Sequence, residues 1–221
     1  MNSYKELADL LFPEISQTPK DYEEKYPKRN LPDTARVTRF APSPTGFLHI
    51  GGLFAAMISK ICADRSNGVF YLRIEDTDKK REIEDGVKII IEGLSDFGIT
   101  FSEGVNVNGD EIGDYGPYVQ SKREEIYKTY VKDLVKKGLA YPCFMTEEEL
   151  ADIRKEQEEE KITPGIYGKW AKSRNLTFSE IKEKLDNNLP YVIRLKSSGD
   201  PDKRIVLNDL IKGEISMPEN N

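Results

Sequence analysis

Residues 39–52 read Arg39-Phe40-Ala41-Pro42-Ser43-Pro44-Thr45-Gly46-Phe47-Leu48-His49-Ile50-Gly51-Gly52, and the only histidine of the 221-residue sequence falls inside this stretch. On its N-terminal side, Arg36 to Ala41 alternate as a strand that Pro42 ends. On its C-terminal side, Leu53, Ala56, Met57 and Ile61 recur at helical spacing as far as Asn67-Gly68. A lone histidine more often packs or caps a helix start than binds a ligand. Three details favour an anion here. Thr45-Gly46 and Gly51-Gly52 let the backbone approach a phosphate closely. The first-turn amides and the positive end of the helix dipole attract negative charge. The imidazole can donate to a phosphate oxygen, with a proton tunable near neutral pH.

Outward from this stretch, Val69 to Ile74 reads as a second, buried strand, and Ile83, Val87, Ile90, Ile91, Leu94 and Phe97 trace one side of a helix stopped by Gly98. Strand, helix, strand, helix is the order of a parallel α/β sheet. Residues 104–116 look like a loop. Beyond them, Ser121-x-x-Glu124 is a capping box opening a helix with the stripe Ile126, Tyr127, Tyr130, Val131, Leu134 and Val135. Thr146-x-x-Glu149 and Thr177-x-x-Glu180 predict two further helices, the second ending near Asn187-Asn188, and Tyr191–Leu195 and Arg204–Leu207 predict strands. The first 36 residues read as an appendage, with a Ser3-x-x-Glu6 box before Leu7, Leu10 and Leu11. The expected divisions are an extension at 1–36, a first domain at 37–119 and a second at 120–221.

Composition bounds the function classes. A hydrophobic content of 38% with 33% charged residues fits a soluble globular chain. The net charge of -6 argues against indiscriminate nucleic-acid binding, and Lys79-Lys80-Arg81, Lys122-Arg123 and Lys136-Lys137 read as solvated clusters. No apolar run reaches membrane-spanning length and the N-terminus lacks a signal-peptide pattern, so a cytoplasmic protein with no membrane partner is expected. Cys62 and Cys143 are too few for a disulfide framework.

The second strand ends in Arg73-Ile74-Glu75-Asp76-Thr77-Asp78, at the sheet edge where open parallel sheets bind ligands. Alternation puts Arg73 and Glu75 on one side. Asp76 and Asp78 read as a solvent-exposed acidic loop, whereas Glu75 at the strand tip can hold an ammonium. Arg39 can grip a carboxylate with its planar fork, although a structural ion pair with a neighbouring acid suits its spacing equally well. Arg39, Glu75 and His49 around a single crevice would suit an amino acid beside a nucleotide phosphate.

These stretches, with Gly116-Pro117-Tyr118-x-Gln120-Ser121-x-Arg123 and Tyr191-Val192-Ile193-Arg194-Leu195-Lys196, resemble the N-terminal part of bacterial glutamyl-tRNA synthetases, which are class I aminoacyl-tRNA synthetases. The likeness runs from about Val37 onward. It implies an α/β chain: an incomplete Rossmann-type nucleotide-binding fold with an inserted α/β domain, at 120–221 and truncated, that binds the acceptor stem of tRNA(Glu). It implies an ATP-dependent ligase that activates L-glutamate and transfers it to the 3′ end of tRNA. Carried over by position, Arg39, Ala41, Ser43 and Glu75 would contact glutamate. Pro44, Thr45, Gly46, His49, Gly51 and Gly52 would contact ATP, with His49 and Gly51 catalytic. Mg2+ would enter bound to the ATP phosphates.

Gly52 stands where the class I signature has a second histidine. Cys143-Phe144-Met145 stands where some relatives carry a Cys-x-Cys zinc pair, and no later cysteine follows, so no zinc and no protein-held metal are expected. The lysine-rich loop that stabilises the activation transition state and the anticodon-binding domain have no counterpart, and Ser216-Met217-Pro218-Glu219-Asn220-Asn221 reads as a chain interrupted inside the insertion. The expectation is a monomeric piece of a longer synthetase, inactive by itself. A glutamyl-queuosine tRNA synthetase-like enzyme and a noncatalytic tRNA- or glutamate-binding module are the alternatives. Nucleotidyl transfer of the cytidylyltransferase kind is disfavoured by Gly52 and by the Arg-Ile-Glu-Asp-Thr-Asp strand.

Overall fold

The computed structural model describes residues 2–200 and 202–219. Met1, Asn220 and Asn221, at the outer limits of the predicted extension and insertion, lie outside the described residues. The chain is mixed α/β, and it divides into two compact units: Met1–Ser16 together with Tyr130–Asn221, and Gln17–Thr129.

The division differs from the expected one at both ends of the first domain. Helix α1 (Asn2–Leu11) is no appendage. Leu7, Ala8, Leu11, Phe12 and Ile15 are buried in one core with Val135, Ala140 and Ile181, because a helix this short is marginal alone and forms by burying its apolar side. Since α1 begins at Asn2, Ser3 lies inside the helix and does not cap it. Lys132, itself buried, donates to the carbonyls of Phe12 and Ile15 at 2.9 Å each and lies 2.9 Å from the Asp9 carboxylate. Lys132→Ala strands these acceptors and is expected to lower stability by about 2–3 kcal/mol. Accelerated proteolysis between residues 12 and 18 would report the release of the leader.

Helix α2 (Pro19–Lys25), missed in the polar part of the leader, opens where Thr18 donates its N–H and its hydroxyl to Asp21. Strands β1 (Val37–Phe40) and β2 (Val69–Leu72) pair in parallel, with Val37 opposite Val69 and Phe40 opposite Leu72. Parallel pairing requires a crossover, and α3 (Ile50–Arg65) supplies it. Asn67 then takes a left-handed φ of 52° and the Gly68 N–H returns to the Ala63 carbonyl, as the Asn-Gly pair predicts. β2 is flanked further along by parallel bridges from Tyr71 to Glu103 and from Ile74 to Val119. Phe70, Leu72 and Ile74 point into a core with Ile90, Ile91 and Leu94 of α4 (Gly86–Asp96), Ile99, Val105 and Tyr118.

Two expected helix faces change. On α3 the buried positions are Ala56 and Ala63, with Leu53 partly buried, while Met57 and Ile61 are exposed along with Ile50, Phe54 and Ile58. Small alanines let the helix sit close to the sheet. The large side chains turn outward, and Ile50, Phe54 and Met57, with Phe97 and Ile99, line an apolar groove of about 420 Å³. Phe97, expected on the inner side of α4, is 67% exposed and follows the helix end. The loop at 104–116 contains a small antiparallel ladder, β3 (Gly104–Val105) with β4 (Glu111–Ile112), closed by the Asn106 side chain accepting from Asn108 and Asp110.

A 3-10 turn at Gln120–Arg123 leads into α5 (Glu124–Lys136), within which the two units divide. The second unit continues with β5 (Ala140–Cys143), α6 (Glu147–Glu159), α7 (Phe178–Asp186), β6 (Val192–Leu195), β7 (Arg204–Asp209) and β8 (Gly213–Pro218). Both threonine boxes form: Glu149 and Glu180 donate their N–H groups to Thr146 and Thr177 and return a carboxylate to each cap amide. β5 pairs antiparallel with β6, and β7 with β8. Among the described residues no helix is long and apolar enough to cross a membrane.

Candidate active site

Parallel pairing of β1 and β2 delivers both carboxyl ends to one edge. Pairing continues past the strands proper, since the Arg73 N–H donates to the Phe40 carbonyl and the Glu75 N–H to that of Pro42, each at 3.0 Å. Glu75 is thereby fixed beside the start of the Pro-Ser-Pro-Thr-Gly turn. Pro44, at the base of the turn, is buried, and its carbonyl accepts from Ile83. Gly86 lies against it, and a Cβ there would come 2.8 Å from the Pro44 carbonyl oxygen.

His49 occupies the N-cap position of α3 with extended backbone, and its carbonyl accepts from the Leu53 N–H. Its side chain makes no cap hydrogen bond, so the imidazole is not consumed in closing the helix. Gly51 lies under the ring: a Cβ would stand 3.1 Å from Cε1 and 3.2 Å from Nδ1 of His49. Any side chain at this position presses on the imidazole. Ser43, Thr45, Gly46, His49 and Gly52 share a cleft of about 450 Å³ with Phe40, Pro42 and Ile90.

The remaining predicted residues lie elsewhere around this edge. Gly51 lines the apolar groove of α3, Pro44 is buried beneath the turn, and Ala41 leads into it. Arg39 and Glu75 come together, with Nη1 4.0 Å from Oε1, but neither lines the cleft that contains His49. Glu75 is drawn instead to Arg73, whose Nε donates to the same oxygen at 2.8 Å. Arg73 is the neighbour of Glu75 absent from the sequence-based site, and its signal was the two-residue spacing that puts it on the side of Glu75.

Asp76 corrects the exposed-loop reading. Its carboxylate is buried and accepts from the Ser121 N–H at 2.9 Å, the Ser121 hydroxyl at 2.6 Å and Lys79 at 3.1 Å. Ser121 therefore serves Asp76 and not the predicted box with Glu124. Asp78, by contrast, stays in an exposed loop paired with Arg81.

Burial pushes the Asp76 carboxyl upward, but the hydrogen bonds from Ser121 and Lys79 outweigh it and hold the group below its ordinary 3.8. Glu103 behaves alike: burial raises it, and Arg29 and Tyr118 hold it below 4.5. A carboxyl with a depressed folded-state pKa contributes stability that is present above its unfolded value and lost as pH falls through the folded one. Unit Gln17–Thr129 is therefore expected to lose thermal stability as pH drops below about 4.5, and Glu103→Gln should flatten that dependence in melting curves taken across the acid range.

Residues 36–221 match the family of class I tRNA synthetases (E and Q), catalytic domain. The chain is 56% identical over 219 residues to a glutamate–tRNA ligase of Clostridium beijerinckii and 54% identical over 218 residues to that of Clostridium perfringens strain 13; each match takes in 99% of this chain and 40% of the relative. The chain thus spans about 40% of the length of the curated relatives it matches. Among solved structures, a glutamate tRNA ligase from Elizabethkingia meningosepticum in complex with its amino acid aligns with a TM-score of 0.70 at 38% identity, covering 84% of this chain and 36% of that one. With this match across residues 36–221, the chain belongs to the class I tRNA synthetases of the E and Q group.

Proposed function

We propose that this chain is the part of a glutamate–tRNA ligase that holds L-glutamate and ATP for activation, and that residues 120–221 carry the insertion that binds the acceptor stem of tRNA(Glu) in a Rossmann-type architecture. The observation that carries the reading is the convergence of Arg39, Arg73 and Glu75 at the edge from which the turn leads to His49. The names of the 54–56% identical relatives support a glutamate–tRNA ligase over the queuosine-type alternative.

In this reading Glu75 exchanges its guanidinium partners for the substrate ammonium. Arg39, released from Glu75, takes a substrate carboxylate with its two-pronged fork. Ser43 and Ala41 bound the amino acid. The α-carboxylate oxygen attacks the α-phosphorus of ATP, forming the mixed anhydride. The bond to the departing pyrophosphate breaks, and its electron pair leaves with that anion. His49 donates to a phosphate oxygen, and the first-turn amides of α3 face the same charge. Gly51 keeps the imidazole in place. When bound through the ATP phosphates, Mg2+ would supply charge neutralisation; among the described residues no three acidic, cysteine or histidine side chains converge to hold it. In the second step a hydroxyl of the terminal ribose attacks the acyl carbon and AMP leaves.

Two measurements test the reading. L-glutamate titrated into the 221-residue protein should shift the NMR signals of Arg39, Arg73 and Glu75, and ATP those of residues 43–52. Equal responses to L-aspartate or D-glutamate would count against a glutamate site. In a polypeptide carrying this chain at the length of its curated relatives, pyrophosphate should exchange into ATP only when L-glutamate is present. Binding without exchange there would indicate a noncatalytic module.

A further inference from the structure

The segment between α2 and β1 precedes the stretch that matches the family, which begins at residue 36, yet it is tied into the middle of its own unit. Arg29 reaches Glu103 with both prongs of its guanidinium, Nη2 lying 2.6 Å from Oε2, and the two side chains are only 17% and 12% exposed. The same guanidinium lies over the Tyr115 ring, 3.7 Å from its centroid, and the Tyr115 hydroxyl donates to the Pro27 carbonyl at 2.8 Å. Four contacts therefore hold one short segment.

What Arg29 grips leads directly to β2. Glu103 accepts the Leu72 N–H at its own carbonyl, 2.9 Å away, and the Tyr118 hydroxyl at its carboxylate, 2.6 Å away. Tyr118, fully buried, accepts the Ile74 N–H at its carbonyl at 2.9 Å, and the Ile74 carbonyl accepts from Gln120 at 2.8 Å. Ile74 immediately precedes Glu75, and Leu72 lies three residues before it. We infer that leader residues 17–36 form a positioning strap: through Glu103 and Tyr118, Arg29 fixes the end of β2 that presents Glu75. Its functional half rests on the reading of Glu75 as the ammonium ligand.

The physical ground is the cost of a lone buried charge. Without Arg29, the Glu103 carboxylate keeps only the Tyr118 hydroxyl, and a buried ion in this state recruits water or a proton by moving. Either response pulls on the two segments that pair, one after the other, along the edge of β2 and its continuation opposite β1. A strap that merely covers surface would leave those segments undisturbed.

The test compares Arg29→Met with the unmodified 221-residue protein by NMR-resolved amide exchange. Leu72, Ile74 and Gln120 should exchange at least tenfold faster, while the amides of α3 between Ala56 and Ala63 keep their rates. Arg29→Met combined with Glu103→Gln should restore much of the protection, since a neutral amide can stay beside Tyr118 without a cation. Unchanged rates at those three amides, or a uniform rise that includes α3, overturns the inference. If Arg29→Met fails to fold, Arg29→Lys is read in its place, with a smaller rise at the same three amides expected. L-glutamate affinity should fall at least tenfold in the same variant while the response to ATP is kept. Altered exchange with unaltered glutamate affinity also overturns it. Absence of glutamate binding by the unmodified protein would instead defeat the proposed function, and the exchange result would still decide the strap.

Discussion

Glu75→Ala, made in a polypeptide of the relatives' length, should cut kcat/KM for L-glutamate by roughly a hundredfold, about 3 kcal/mol, as expected when one member of a largely desolvated charge pair is removed. Two effects add. The substrate ammonium loses its carboxylate, and Arg73 and Arg39, which both turn toward that carboxylate, are left as uncompensated positive charge where a cation must bind. Arg39→Ala should lose a similar factor through the substrate carboxylate, and Arg39→Lys should recover little because a point charge cannot reproduce the fork. Steady-state kinetics with melting curves on the same variants separates this from the ion-pair reading. A structural pair would lower the melting temperature and leave kcat/KM alone, and unchanged kinetics in either variant would end its assignment to glutamate.

Gly68→Ala should be the most damaging methyl that can be added to the unit Gln17–Thr129. The new Cβ would fall 1.9 Å from the Arg36 carbonyl oxygen, which accepts the Val69 N–H at 3.0 Å and opens the β1–β2 ladder. Backbone cannot swing aside as a side chain does, so the first rung has to part. A cost of about 3 kcal/mol follows for overpacking of this kind, equivalent to a fall of roughly 15 °C in the midpoint for a domain of this size. Gly93→Ala is the control. Gly93 lies in α4 with nothing near the position of its missing Cβ, and alanine there should stabilise by about 0.5–1 kcal/mol. Equal melting temperatures for the two variants would refute the steric account.

What could be read before the structure was whatever is written locally. The Pro-Ser-Pro-Thr-Gly turn, the strands on either side of α3, the left-handed Asn67 before Gly68 and the threonine caps at Thr146 and Thr177 each depend on a few adjacent residues. Ser121 shows the limit: its box with Glu124 has the right letters, but Asp76, 45 residues earlier, takes both of its donors. β5 and β8 escaped notice because their partners, β6 and β7, decide them, and Pro142 inside β5 argues against a strand. The outward turn of Met57 and Ile61 followed from how closely two alanines let α3 approach the sheet, which spacing alone cannot express. At the site, the residue types and the shared edge were legible. The preference of Glu75 for Arg73, which keeps it out of the cleft of His49, depends on side-chain geometry.

The leader's membership in a core completed by Val135, Ala140 and Ile181 sets a timetable for biosynthesis. About 110 residues separate Ser16 from Tyr130, so at ordinary translation speeds the first helix leaves the ribosome roughly ten seconds before its packing partners exist. Through that interval Leu7, Leu11 and Phe12 have no core to enter, and so short a segment holds little helix unaided. A helix made well ahead of its partners is thus among the last elements of its unit to reach its native place.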